Sequence, residues 1–239
     1  MPIEYEYRFR LQKDGPFSKN ELIRRAMQTS QTSQTSQTSQ TSQTSQPHTY
    51  LLTNTVFASA TGNYVRIREK TNVHTHAGAS ETILTVKSRA IGSDFEDEDE
   101  VNICATRGNT RQYTVKVLNA LGCTPKYTIQ KLRTVVHVPG LGELDFDEAP
   151  GLAPFLEVEA TSKRKLDQLV KRLGLTGKNE SFGIADLYLE EYGITKENRS
   201  TTDDLLFSKP SNLIKNITRQ RTAFTRVLAQ QRKLIKGVK

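Results

Sequence analysis

Apolar and charged residues alternate along much of this chain. From Ile3 to Arg10, Tyr64 to Lys70, Ile83 to Arg89, Tyr127 to Arg133, Leu141 to Asp147 and Phe155 to Ala160 the side chains change character from one position to the next. That is the period of a β-strand with one buried face. Gly62-Asn63, Gly92-Ser93 and Pro139-Gly140 punctuate these runs as turns. The period lengthens to that of a helix at Lys19 to Met27, Arg111 to Leu121 and Ser162 to Leu173. In the last of these, Leu166, Leu169, Val170 and Leu173 share one helical face, Ser162 is placed to cap the start and Gly174 to end it. In the second, Val115, Val117, Leu118 and Leu121 are the expected core contacts. Phe182 to Gly193, with Leu187, Tyr188, Leu189 and Tyr192, reads as a further helix closing on the end of the domain. Strands dominate and helices interrupt them, so the pattern predicts an α+β domain around one antiparallel sheet, open or closed into a barrel.

Two segments stand outside this pattern. Residues 29 to 46 are six consecutive Thr-Ser-Gln triplets with no charge and no apolar side chain. Nothing drives them into a core, so they are expected to form a disordered loop inside the domain. Its length costs little, because closure entropy grows only logarithmically. The second segment is the C-terminal end. The chain carries a formal net charge of +8, but from Leu205 onward there are nine Lys or Arg and no acid, leaving 25 bases against 26 acids in residues 1 to 204. Residues 1–195 are expected to form the domain and residues 196–239 a basic, helical extension. Leu213, Ile214, Ile217, Phe224, Val227 and Leu228 give that extension an apolar stripe. It either packs on the domain, binds RNA or another acidic surface, or stays disordered.

No run approaches the roughly 18 apolar residues of a membrane span. The chain opens on a charged, strand-like segment rather than a signal peptide. Cys104 and Cys123 have neither a disulfide framework nor metal-type spacing. A reducing, cytoplasmic location is the expectation.

The placement of charge on the strands is more informative. Residues i and i+2 of a strand point to the same face. Glu4, Glu6 and Arg8 therefore share a face, as do Arg66 with Arg68, Lys87 with Arg89, Lys131 with Arg133, Asp145 with Asp147 and Glu157 with Glu159. The opposite faces hold Tyr5, Tyr7, Val65, Ile67, Leu84, Val86, Leu132, Leu144, Phe146, Leu156 and Val158. A solvated face usually mixes signs, whereas these pairs are same-signed and segregated by strand. Two like charges about 6 Å apart repel by roughly 3 kcal/mol at an effective dielectric near 20. A polyanion between the basic pairs, with divalent cations among the acidic ones, would relieve both repulsions.

These residues carry a resemblance. Glu4-Tyr5-Glu6-Tyr7-Arg8 resembles the N-terminal Glu-x-Glu-x-Lys signature of the CYTH family of triphosphate tunnel metalloenzymes, the superfamily of class IV adenylyl cyclases and thiamine triphosphatases. Arg66-Ile-Arg68 is similar to its Arg-x-Arg strand, Leu84-Thr-Val-Lys87 to its Leu-x-x-Lys strand and Lys131-Leu-Arg133 to its Lys-x-Arg strand. Phe146 to Glu159 resembles its Asp, Gly-Leu, Glu-x-Glu block, and the whole likeness runs in family order over residues 3 to 175. It implies an eight-stranded antiparallel β-barrel with a charged bore. It implies that Arg8, Arg66, Arg68, Lys87, Lys131 and Arg133 bind a triphosphate. It implies that Glu4, Glu6, Asp147, Glu157 and Glu159 hold Mg²⁺ or Mn²⁺, with Glu4, Glu6, Arg8, Glu157 and Glu159 the catalytic set. Glu98, Glu100 and Asp145 are further candidates for the bore, although the run Asp94 to Glu100 reads equally well as a solvated loop. The chain departs from the family at three places: Arg8 stands where Lys is usual, Tyr50-Leu-Leu-Thr-Asn-Thr55 where a Tyr-Tyr-Asp-Thr-like strand is common, and Pro154 where glycine is common.

Other signals are weaker. His74-x-His76 lies in a polar stretch without a third ligand and reads as a loop, and His48 and His137 read as isolated. The glycines form no P-loop and no serine sits in a nucleophile elbow. The expected function is metal-dependent hydrolysis of a triphosphate, whether inorganic, nucleoside, thiamine or at an RNA 5′ end. The alternatives are a class IV adenylyl cyclase and a non-catalytic polyphosphate or RNA-binding module, and four or more bore acids argue against the last. The sequence leaves the oligomeric state open.

Overall fold

A computed structural model of the chain describes residues 5–29, 46–59, 64–74, 80–89, 96–102, 110–195 and 204–236. In chain order its elements are β1 (Tyr5–Arg10), α1 (Lys19–Thr29), β2 (His48–Ala58), β3 (Tyr64–Asn72), β4 (Ser80–Arg89), β5 (Glu96–Asn102), α2 (Thr110–Ala120), β6 (Thr124–Val138), β7 (Gly142–Glu148), β8 (Phe155–Ala160), α3 (Lys163–Leu173), α4 (Ile184–Tyr192), α5 (Ser211–Lys215) and α6 (Arg221–Leu234). The expected helix of residues 162–173 is α3. The Ser162 hydroxyl accepts from the Lys165 N–H, and Gly174 ends the helix in the left-handed region at φ 73°. The Thr-Ser-Gln expectation falls on residues 30–45, outside the described residues.

All eight strands form one sheet in the order β1-β8-β7-β6-β2-β3-β4-β5, and every neighbouring pair is antiparallel. The expected closed barrel is corrected here: β1 and β5 are the edges, and no pairing joins them among the described residues. The acids of β5 offer a reason, since charge along an edge strand disfavours further pairing. The outer edge of β1 instead takes Glu180, whose N–H donates to the Arg8 carbonyl at 2.9 Å. The sheet is nonetheless curled. Laid flat, β1 and β4 would stand about 29 Å apart over six strand spacings. Side chains of both line one cavity of about 490 Å³.

Strand alternation sends apolar side chains to the convex face. There Phe9, Val136, Leu144, Phe146, Leu156 and Val158 pack against Leu22 and Ala26 of α1 and the buried face of α3. A second core joins Leu132, Leu152 and Phe155 to Leu187, Tyr188 and Tyr192 of α4, to Leu213 and Ile217, and to Phe224 and Leu228 of α6. A third joins Phe57, Val65 and Ile67 to Leu118 of α2. In α2 the sequence expectation is corrected in part. Leu118 is buried and Val115 packs beside it, but Val117 and Leu121 are 58% and 71% exposed. The helix meets the sheet along a narrower stripe than its apolar content suggests.

The C-terminal helices are bound to the domain by more than area. Gly151, at φ +80°, lets the Phe224 ring approach so closely that a Cβ there would come within 2.3 Å of it. Gln231 accepts from the Gly151 N–H at 2.8 Å and donates to the carbonyls of Ala149 and Leu152. Phe224 is fully buried and packs edge-on against Tyr192 at 5.2 Å. Phe224→Ala is expected to cost about 3–5 kcal/mol, read as a lower denaturant midpoint. An unchanged midpoint would show that α6 adds little to folding.

Candidate active site

The concave face follows from the same alternation. On β6, the central strand of this wall, Ile129, Lys131, Arg133, Val135 and His137 take the positions facing away from Leu132, Val136 and Val138. Strand register then sets their neighbours. Arg133 lies opposite Asp147 on β7 and Tyr50 on β2, and His137 lies opposite Glu143. Asp145 pairs with Glu157 across β7 and β8, and Glu157 with Arg8 across β8 and β1. The next row runs Glu6, Glu159, Glu143, His137. Cross-strand rows thus place acids from β1, β7 and β8 on one wall.

Arg133 sits against this wall. Its Nε donates to Asp147 Oδ1 at 2.7 Å and its Nη2 to Asp147 Oδ2 at 2.7 Å and Glu157 Oε2 at 2.6 Å, while Nη1 pairs with Asp145 and lies 3.9 Å from Glu159. Lys131 also pairs with Asp147, which is wholly buried. Arg8 lies between Glu6, at 2.6 Å, and Glu157, at 3.0 Å. The opposite wall comes from β3, where Arg66, Arg68 and Lys70 line the cavity. Arg66 donates to Thr85 Oγ1 at 2.9 Å and Arg68 to Asn54 Oδ1 at 3.0 Å. The Lys70 ammonium lies 4.4 Å from the centre of the Tyr50 ring.

The acid wall is electrostatically strained. One oxygen each from Glu6, Glu157 and Glu159 fall within 4.8 Å of one another. Desolvation, then the nearby Asp145, Glu157 and Glu6 carboxylates, push Glu159 up to about 8. Desolvation also raises Asp145, to about 6, with repulsion from Asp147 and Glu143 adding to it. Glu6 is raised by burial and by Glu157. Asp147 is the exception: despite full desolvation, Arg133 and Lys131 hold it well below the usual range. Lys131 is lowered by the same burial and by Arg133.

This set of oxygens fits a divalent cation. Octahedral Mg²⁺ at about 2.1 Å from each ligand spans about 3 to 4.2 Å between ligand oxygens, so the three carboxylates need to close in only slightly. Asp145 Oδ1 is buried beside them without a hydrogen-bond partner. Among the sequence candidates, Glu6, Arg8, Arg66, Arg68, Lys131, Arg133, Glu157 and Glu159 line the one cavity. Asp147 lies behind it, its carboxylate taken by Lys131 and Arg133. Glu4 lies outside the described residues, and of Lys87, Glu98 and Glu100 only the backbone is described. The acidic run forms β5 rather than a loop from Glu96 onward. Lys70 and Glu143 also line the cavity, two residues along from Arg68 and Asp145, and the same i+2 rule could have found them. The reading of His48 and His137 as isolated is corrected: both line the cavity, and His137 Nδ1 lies 3.3 Å from Glu143.

Comparisons with known proteins agree with this geometry. A family model described as "CYTH domain" matches residues 2–182. Among solved structures, the PH1819 protein of Pyrococcus horikoshii is 21% identical over 78% of this chain and 98% of its own, with a TM-score of 0.51. A candidate adenylate cyclase from Vibrio parahaemolyticus is 13% identical over 77% of this chain and 97% of its own, with a TM-score of 0.52. These likenesses are of fold. No match is found among curated proteins.

The raised carboxyls make the metal-free protein sensitive to pH. Glu159 and Asp145 hold their protons more tightly folded, at about 8 and about 6, than at their ordinary values of 4.5 and 3.8. The stability this confers is complete below about pH 4 and is lost as pH rises to about 8. Asp147, shifted the other way, acts only below about pH 4. In EDTA the denaturation midpoint is therefore expected to fall from pH 5 to pH 8.5, and Mg²⁺ to restore more of it at the higher pH. A midpoint that rises over this window would contradict the arrangement.

Proposed function

We propose, given that the chain belongs to the CYTH domain family, that its charged cavity hydrolyses a triphosphate-bearing substrate with the aid of Mg²⁺ or Mn²⁺. The observation that carries this reading is the division of a single cavity into an acid wall from β1, β7 and β8 and a basic wall from β3. Binding a phosphate chain alone would need only the second.

In this account Arg66, Arg68 and Lys70 grip the non-bridging oxygens of the phosphate chain. Thr85 and Asn54 hold the first two guanidinium groups in place, so little side-chain entropy is lost on binding. Glu6, Glu157 and Glu159 are the residues that would hold the metal, with Glu4 added from the sequence. When bound, the ion supplies neutralising charge at the phosphate oxygens and a lowered pKa for an attacking water. Arg8 spans Glu6 and Glu157 and fixes their separation. It does so as a permanent cation, since arginine does not trade protons near neutral pH. Lys131 and Arg133 line the cavity from β6 but are paired with the acid wall, so they would act on the phosphates as fixed positive charge behind it, and Lys87 is added to the basic set from the sequence. Asp147 is assigned a positioning role, because its carboxylate is committed to Lys131 and Arg133.

A second reading has its own observation. Tyr50 and His48 lie on the cavity wall with their rings 6.4 Å apart. They offer a surface on which a nucleobase can stack, which favours a nucleoside triphosphate and admits cyclisation of ATP.

Purified protein incubated with Mg²⁺ or Mn²⁺ and either tripolyphosphate or ATP separates the two readings. Free phosphate is the expected product, cyclic AMP with pyrophosphate supports the second reading, and binding without turnover contradicts both. Glu157→Gln and Glu159→Gln are each expected to lower turnover by about 10² or more through loss of a metal ligand. Near-wild-type rates in either variant would remove that residue from the metal site.

A further inference from the structure

The C-terminal helices lie beyond residue 182, where the family match ends. They carry a surface that the catalytic reading leaves unused. At 100° per residue, the buried Phe224, Leu228 and Gln231 of α6 fall within about 60° of arc. Arg221, Arg226, Arg232 and Lys233 fall within about 140° on another side. Thr222, Thr225 and Ala229 lie between these cations. Arg232 donates to the carbonyls of Phe207 and Ser208. Arg221, Arg226 and Lys233 are exposed, as are Lys209, next in the chain to Ser208, and Lys215 at the end of α5.

Elsewhere on the surface some cations are paired with acids, Arg24 and Arg25 with Glu21, Arg10 with Glu180 and Glu190, Arg111 with Glu69 and Lys163 with Asp167, while others such as Arg164, Lys171 and Arg172 of α3 enter no ion pair among the described residues. Among the described residues no ion pair engages Lys209, Lys215, Arg221, Arg226 or Lys233, and from Leu205 to the C-terminus there is no acid to offer one. The apolar side of α6 is consumed in the protein's own core. It is therefore not free to enter a bilayer, which an interfacial helix requires. What remains is a one-signed face with small side chains between its charges, complementary to a phosphodiester backbone.

We infer that the outer face of α5 and α6 is a docking surface for RNA. The choice of RNA among polyanions rests on the triphosphate reading of the cavity, because a transcript bears a triphosphate on its own 5′ end. The helix is fixed to the site as well as charged. Gln231 ties it to the segment 149–152 that joins β7 to β8, the strands bearing Asp145, Asp147, Glu157 and Glu159.

The test is fluorescence anisotropy on the full chain with a single-stranded RNA of about 20 nucleotides. Its 5′ end carries a hydroxyl, so the cavity has no triphosphate to hold. The wild type is expected to bind in a salt-dependent manner. Arg226→Ala with Lys233→Ala is expected to weaken binding about tenfold or more and to reduce the log–log salt slope by about 1.4, two single-strand phosphate contacts. Arg226→Lys with Lys233→Arg should retain binding. Tripolyphosphate hydrolysis should be unchanged in both variants, so a failure of the catalytic reading is seen separately. Absence of RNA binding by the wild type, or equal binding by the alanine variant, would overturn the inference. So would tighter binding to single-stranded DNA of the same sequence, or to anionic vesicles.

Discussion

One buried cation makes the acid wall possible. Arg133 stands at the meeting of β6, β7 and β8, contacting Asp145, Asp147 and Glu157, with Glu159 at 3.9 Å. Removing a single partner from a buried charge network is costly, because the remaining charges stay desolvated and unbalanced. Without Arg133 the wall would be a set of carboxylates driven to take up protons. With it, Asp147 stays ionised and the excess negative potential is displaced outward, onto Glu6 and Glu159. Both of these line the cavity, and an oxygen of each converges with one of Glu157.

The fold delivers this arrangement cheaply. Strand alternation sorts apolar from charged side chains, the convex face packs on α1 and α3, and curling of the sheet turns the charged face inward. The curvature sets the acid wall of β1, β7 and β8 across the cavity from the basic wall of β3. Arg66 and Arg68 are oriented by Thr85 and Asn54. Lys70 of the same wall lies 3.8 Å from Glu81, and on the other side Lys131 is spent partly on Asp147.

Much of this was legible in the sequence because the relevant rule is local. The i+2 pairs Arg66 with Arg68 and Glu157 with Glu159 needed only strand periodicity to be placed on one face. What the sequence hid is non-local. Asp147 has the same face and charge as Asp145, but only the β6–β7 register shows that Lys131 and Arg133 capture it. His48 and His137 look isolated along the chain, and both line the cavity because β2 and β6 are paired. The strand β5 has no apolar alternation to reveal it, since backbone pairing with β4 defines it. Val117 and Leu121 carry a helical apolar period that the docking angle of α2 leaves in solvent.

The central claim is that the two walls act together on a metal and a phosphate chain. Electron paramagnetic resonance of Mn²⁺, titrated into the protein with and without a non-hydrolysable triphosphate analogue, tests it most directly. The account predicts that the protein binds Mn²⁺, that the analogue tightens this binding and alters the spectrum, and that Glu159→Gln weakens it. Mn²⁺ that stays free in solution, or binds with the same affinity and spectrum whether or not the analogue is present, would contradict it.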